Sequence, residues 1–272
     1  MNELLVNKLD QLRKGIRALG SALVAFSGGA DSALVLKVAT DELPGRVVAL
    51  TAISPTMAQR EQRFAQAFAA ALGVAHEQIR SNELERPGFR MNPTDRCYHC
   101  KSELFDVAEP VRQRLGLAAV LLGTNTDDLG EHRPGLQAAR EHQGGQPLVD
   151  ANLSKAEVRA LSRHLGLSTW DKPQMACLSS RFPYGTEITD ARLAQVDRLE
   201  EALWDLGFRQ LRVRFHGDVA RLELLPEELP RALELRDRLV AEGKQAGFRF
   251  VALDLQGFRS GALNEGLLTL RR

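Results

Sequence analysis

Two groups of residues in this sequence have types and spacings that could do chemistry. The first is Ser27-Gly28-Gly29-Ala30-Asp31-Ser32, which follows directly on the apolar run Ala22–Phe26. Glycines let backbone N–H groups converge, and the start of a helix adds a positive dipole end, so such a turn suits a phosphate. The hydroxyls of Ser27 and Ser32 can donate to the same anion. No Gly-Lys-Ser/Thr follows, which excludes the lysine-bearing phosphate loop. An ordinary strand-to-helix turn capped by Asp31 would have the same local pattern. The second group is three cysteines, Cys97, Cys100 and Cys177. An odd number in a chain this long argues against a disulfide framework and for free thiols, a metal site or catalysis.

Cys177 lies in Ala176-Cys177-Leu178-Ser179-Ser180-Arg181. A nearby guanidinium favours the thiolate, and Arg181 could equally bind a phosphate or carboxylate. A buried structural thiol is the plainer alternative. Cys97-Tyr98-His99-Cys100 is a C-x-x-C. In a reducing compartment that spacing serves redox, zinc or iron–sulfur chemistry. Structural zinc closes with four ligands, and His99 is the nearby candidate for a fourth. Three thiolates and one open iron would instead suit a 4Fe–4S cluster carrying an extra sulfide. Further on, Arg212-Val213-Arg214 places two guanidiniums on one face of an extended segment. That makes a phosphate clamp or, equally, a solvated edge strand. Glu200 and Glu223 are acids expected near that face, and isolated acids are usually surface carboxylates.

These residues need elements to hold them. Leu4, Leu5, Leu9, Leu12 and Ile16 recur at helical spacing and predict a first helix over roughly residues 2–19. Ala22–Phe26 reads as a buried strand, followed by the glycine turn and a helical stretch. The alternation repeats: strand Val47–Thr51, helix Thr56–Leu72, weak strand His76–Arg80, helix Tyr98–Leu115, strand Ala119–Gly123. Helices of this length between strands imply right-handed crossovers and a doubly wound parallel sheet, an α/β fold. Ligands in such sheets bind beyond the carboxyl ends of the strands. The turn at 27–32, Ser54-Pro55 and the segment 123–128 all fall there. Ser154 and Glu157 form a capping box that starts a helix to Leu165. A long Pro- and Ser-containing loop, 171–187, precedes a change of pattern. Helix Asp190–Leu206, strands Gln210–Phe215 and Val219–Leu224, helix Pro226–Glu242 and strand Phe248–Leu253 make a smaller α+β block. The expected domains are 1–188 and 189–272.

Composition bounds the function. The 272 residues hold 36 basic and 35 acidic side chains, a net charge of +1. A protein that grips nucleic acid usually shows a basic surplus or stripe, so a nucleic-acid partner is not expected. Hydrophobic residues make up 44% and charged residues 26%, which excludes disorder for most of the chain. No apolar run is long enough to span a bilayer, and the first twenty or so residues are charged and amphipathic, unlike a signal peptide. A cytoplasmic location follows as an expectation.

Ser-Gly-Gly-x-Asp-Ser after a first strand resembles the PP-loop of the ATP pyrophosphatases, which cleave ATP between the α- and β-phosphates. Gly123-Thr124-Asn125-Thr126-Asp127-Asp128 resembles the second nucleotide motif of that superfamily, with Arg133-Pro134-Gly135 close behind. Three further stretches narrow the likeness: 95–101, 172–186, and Leu253-Asp254-Leu255-Gln256-Gly257-Phe258-Arg259-Ser260-Gly261 with Asn264. Together they are similar to the LarE family, ATP-dependent sulfur transferases of nickel-pincer nucleotide synthesis, over nearly the whole chain. The resemblance implies ATP with Mg2+ held by Ser27, Gly28, Gly29, Asp31, Ser32, Gly123, Thr124, Asn125 and Asp127. It implies adenylation of a carboxylate of pyridinium-3,5-biscarboxylic acid mononucleotide and its conversion to a thiocarboxylate. Cys177, Asp31, Arg181 and Glu200 would serve the chemistry and Arg212 and Arg214 the substrate phosphate. Some members carry all three cysteines, which implies a 4Fe–4S cluster on Cys97, Cys100 and Cys177; others sacrifice a single cysteine. A homo-oligomer, hexameric in the family, is also implied. The alternative is a TtcA-like tRNA thiolase, which would share the PP-loop and cluster but would need a basic RNA-gripping surface.

Overall fold

The computed structural model describes residues 2–130 and 134–264. Arg133, part of one motif above, lies outside the described residues. The elements run in the order α1 (Glu3–Ala18), β1 (Ala22–Ala25), α2 (Ala30–Glu42), β2 (Val47–Ile53), α3 (Gln59–Ala71), β3 (Ala75–Arg80), α4 (Pro87–Arg90), α5 (Arg96–Arg114), β4 (Ala119–Leu121), α6 (Pro134–Glu141), α7 (Pro147–Asp150), α8 (Lys155–His164), α9 (Asp190–Asp205), β5 (Arg212–His216), β6 (Val219–Glu223), α10 (Leu229–Glu234), α11 (Arg236–Ala246) and β7 (Phe250–Leu253), with short 3-10 turns between some of them.

The chain divides into two compact units. One holds residues 1–54, 59–89 and 95–175; the other holds 55–58, 90–94 and 176–272. In the larger unit β1–β4 form a parallel sheet of order β3-β2-β1-β4, with β1 central and paired to β2 and β4. This is the doubly wound α/β arrangement expected. Leu23, Leu50 and Val120 pack with Phe105, Ala108 and Val111 of α5 and Ala139 of α6. Val24 and Ala49, on the opposite pleat, are fully buried as well. α1 buries Leu5, Leu9, Leu12 and Ile16, the periodic stripe of the sequence, and Asn2 caps it. The Ser154–Glu157 capping box of α8 is formed in both directions.

The smaller unit carries the antiparallel hairpin β5–β6, with β7 parallel to β6. Two short outlying segments join it through backbone hydrogen bonds: Leu178 N donates to Thr56 O, Gly185 N to Asn92 O and Ile188 N to Arg90 O. That pairing is why the helix expected from Thr56 starts only at Gln59. The helix expected over 226–242 is broken into a 3-10 turn, α10 and α11, with Leu235 closing one helix and opening the next. β4 ends at Leu121 rather than Gly123, and the loop 171–187 contains a 3-10 turn at Leu178–Arg181.

Candidate functional site

In the larger unit the glycine turn sits beyond the carboxyl end of β1 and opens α2, as the sequence predicts. Gly28 has φ +75, which a side chain would strain. The Ser32 hydroxyl donates to the Gly29 carbonyl at 3.2 Å and accepts from Ser27 N at 3.3 Å, with Ser27 Oγ 3.3 Å away. The turn thus closes on itself around the start of α2. Gly123, just past β4, lies flat against it: a Cβ there would come within 2.5 Å of Ser32 N. Any side chain at 123 would push the first turn of α2 away.

Asp31 lies beside this turn. It accepts from Asn125 Nδ2 at 3.2 Å and is ion-paired with Lys155 at the start of α8. Asn125 is itself held: its Oδ1 accepts from Asp127 N at 3.0 Å, and its N–H donates to Asp128 Oδ2 at 3.0 Å. Asp127 Oδ2 accepts from Lys155 N at 3.0 Å, fixing the first residue of α8. So Asp31, Asn125 and Asp127 form one connected set, while Thr124 is buried next to them in the chain. A second lysine works from the other side. Lys172 Nζ donates to Gly28 O at 3.0 Å and to Glu61 Oε2 at 2.7 Å, and lies 3.5 Å from the Phe64 ring centroid. Burial pushes the Lys172 ammonium down from its ordinary range, and the Glu61 carboxylate opposes that shift. Neither lysine was assigned a role from the sequence.

Cys97 and Cys100 stand one helical turn apart at the start of α5. Cys97 is exposed, Cys100 half-buried, and neither is in a disulfide. Burial pushes the next residue, Lys101, down, and the Cys100 and Cys97 thiols oppose it. As donors, two thiols at i and i+3 suit a soft metal. Among the described residues, however, no three His, Cys, Asp or Glu side chains are gathered as a metal-holding group.

In the smaller unit Cys177 is exposed and immediately precedes the 3-10 turn. Arg181 and Glu200 are not at the surface: their side chains are 1% and 4% exposed. They form a bidentate pair, Nε to Oε1 at 2.8 Å and Nη2 to Oε2 at 2.7 Å. Arg181 Nη1 then donates to Ala176 O at 2.7 Å, Cys177 O at 3.0 Å and Ser180 Oγ at 3.0 Å. Its guanidinium therefore holds the main chain on which the thiol is mounted. Burial alone would lower the Arg181 pKa, but the Glu200 carboxylate outweighs it and the net shift is upward. Glu200 Oε1 also accepts from Val213 N at 2.9 Å, tying α9 to β5.

Arg212 and Arg214 share a face of β5, and both are buried, so the solvated-edge reading is excluded. Arg214 donates to Ser180 O at 2.6 Å and pairs with Glu223 at 2.8 Å. Glu223, 1% exposed, also pairs with Arg221 at 3.1 Å. The plainer alternative, that Glu200 and Glu223 are surface carboxylates, does not hold: buried arginines from neighbouring elements neutralise them. Arg212 lies 4.9 Å from the Phe258 ring centroid and donates to Leu211 O at 2.6 Å. Its pKa is pushed down to about 10, first by burial and then by the Arg181 and Arg214 cations.

The first strand of the parallel sheet thus carries a Ser-Gly-Gly-x-Asp-Ser turn beyond its carboxyl end. No family model matches the chain. An uncharacterised protein of Synechocystis sp. is 47% identical over 266 residues, spanning 97% of this chain and 99% of that relative. The pyridinium-3,5-bisthiocarboxylic acid mononucleotide synthase of Lactiplantibacillus plantarum is 39% identical over 265 residues, spanning 97% and 96%. An uncharacterised protein of Methanocaldococcus jannaschii is 27% identical over 238 residues. This chain belongs to the LarE family of pyridinium-3,5-bisthiocarboxylic acid mononucleotide synthases.

Proposed function

We propose that this protein is an ATP-dependent sulfur transferase that converts the carboxylates of pyridinium-3,5-biscarboxylic acid mononucleotide to thiocarboxylates, as the name of its Lactiplantibacillus relative suggests. The observation that carries the reading is the glycine turn closed around the start of α2 beside Asp31, Asn125 and Lys155. Its backbone N–H groups and hydroxyls would hold the β- and γ-phosphates of ATP, with Mg2+ shielding them. A substrate carboxylate oxygen would attack the α-phosphorus. The bond to the bridging oxygen would break, pyrophosphate would leave, and an acyl-adenylate would remain. Sulfur would then add to the acyl carbon and AMP would depart. Arg212 and Arg214 would receive the substrate phosphate, each already buried among compensating acids.

For the sulfur source we propose that Cys97, Cys100 and Cys177 hold a 4Fe–4S cluster. The donor chemistry supports it, since all three are soft thiols outside any disulfide and none is fully buried. When bound, such a cluster would supply an additional sulfide and leave the cysteines intact. A second route has its own support: Cys177 alone is exposed on a loop whose carbonyls Arg181 grips, and no three donors are gathered among the described residues. In that route the Cys177 thiolate attacks the acyl carbon. AMP departs; loss of the Cys177 Cα proton to a base then breaks the Cβ–S bond by β-elimination, leaving dehydroalanine on the protein and the thiocarboxylate sulfur on the substrate. Assembly as a homo-oligomer, hexameric as in the family, belongs to this proposal. The +1 net charge favours it over a tRNA thiolase. Incubating anaerobically prepared enzyme with ATP, Mg2+ and the mononucleotide tests the whole reading: AMP and pyrophosphate should form in step with thiocarboxylate, and ADP as the nucleotide product would overturn it.

A further inference from the structure

We propose that Lys172 is a positioning residue that sets the shape of the phosphate-holding turn by gripping the Gly28 carbonyl. The inference rests on the reading of that turn as a pyrophosphate site. Gly28 is the one residue of the turn with a positive φ, and its peptide plane decides where the following Gly29 N–H points. A glycine with no side chain has nothing of its own to fix that plane. Lys172 supplies the grip from a distant part of the chain, 144 residues away, at 3.0 Å.

The ammonium is itself fixed on every side. It donates to the Gly28 carbonyl and to Glu61 Oε2 at 2.7 Å, and lies 3.5 Å from the Phe64 ring centroid. Lys172 and Glu61 side chains are only 14% and 11% exposed, so water does not compete strongly for the contact. Phe64 also limits the space at Gly28, since a Cβ there would lie 3.2 Å from its Cδ1. The main chain of Lys172 is anchored in turn: Arg159 of α8 donates to Trp170 O at 2.9 Å and to Lys172 O at 2.8 Å. Thus α8 reaches the turn directly through Lys155 on Asp31 and indirectly through Arg159 on the backbone of Lys172. A cation already committed to a carbonyl, a carboxylate and a ring acts on the loop rather than directly on the ligand.

Hydrogen exchange and pyrophosphate titration of the full-length protein test this. In ligand-free Lys172→Met, amides of the peptide covering 26–32 should exchange at least about tenfold faster, while those of the β5–β6 hairpin stay unchanged. Pyrophosphate affinity should fall by about tenfold, the loss expected when a charged hydrogen bond that shapes a site is removed. Lys172→Arg keeps a donor and a charge, and should recover most of both. Unchanged exchange over 26–32 together with weakened pyrophosphate binding would make Lys172 a direct phosphate ligand and overturn the proposal. So would faster exchange throughout the molecule, or a Lys172→Met protein that binds pyrophosphate as the wild type does. If the wild type itself fails to bind pyrophosphate or ATP, it is the reading of the turn that fails.

Discussion

Glu200→Ala should unfold the smaller unit far more readily than a surface substitution, because it strands a buried guanidinium. Arg181 is 1% exposed and Glu200 is its only bidentate partner among the described residues. Removing one member of a buried pair costs about 3–5 kcal/mol, since the remaining charge keeps its desolvation penalty and loses its compensation. Val213 N also loses its acceptor, which lies within that range rather than adding fully to it. The companion variant is Arg181→Met with Glu200→Leu. It removes both charges, and such replacements are often neutral or better, so the double variant should regain roughly 2 kcal/mol or more over Glu200→Ala. Activity should not return with stability, because nothing then holds the Ala176 and Cys177 carbonyls. Urea unfolding followed by Trp204 fluorescence, in a Trp170→Phe background, reads the smaller unit. Thiocarboxylate formation reads the chemistry. A Glu200→Ala cost below about 1 kcal/mol would refute the buried-pair argument. A double variant with wild-type sulfur transfer would refute the role given to Arg181.

Other outcomes follow from the same geometry. Asp31→Ala, which breaks the links to Asn125 and Lys155, should abolish AMP and pyrophosphate formation; retention of half the wild-type rate would remove Asp31 from the site. Burial lowers the pKa of His76 below 6.5, so its folded form prefers the neutral ring. Its contribution is therefore complete above the unfolded value and is lost as pH falls through 6.5 toward the folded value. His76→Gln should flatten that acid-side decline in stability, and an unchanged slope would show that another group causes it. With a net charge of +1, bulk tRNA should bind weakly and release at moderate salt, and salt-resistant binding measured by filter retention would favour the tRNA thiolase.

How far the sequence could be read depended on how local each signal was. The capping box at Ser154 and the stripe of α1 are set within a few residues, and both formed as expected. The glycine turn was legible for the same reason. Thr56 was misread because its carbonyl is taken by Leu178, a partner no window of helical spacing contains. The buried state of Glu200 and Glu223 was equally hidden, since their arginines come from other elements. The sequence assigns no role to Lys155, or to Lys172 at the head of the 172–186 stretch, because their partners lie 124 and 144 residues away. α6, which begins at Pro134, is not among the elements expected from the sequence, although proline is well placed in the first turn of a helix.

In the proposed reaction, ATP cleavage at the glycine turn drives sulfur onto an activated carboxylate. Mass spectrometry of the mononucleotide after a single anaerobic turnover, alongside iron and sulfide analysis and the intact mass of the protein, tests it most directly. The expected result is a gain of roughly 16 Da for each carboxylate oxygen replaced by sulfur, matched by AMP and pyrophosphate, on a protein that keeps its mass and carries iron and sulfide. A protein lighter by roughly 34 Da after turnover would assign the sulfur to Cys177 itself and contradict the cluster route. A mononucleotide of unchanged mass, with ATP consumed or not, would contradict the account as a whole.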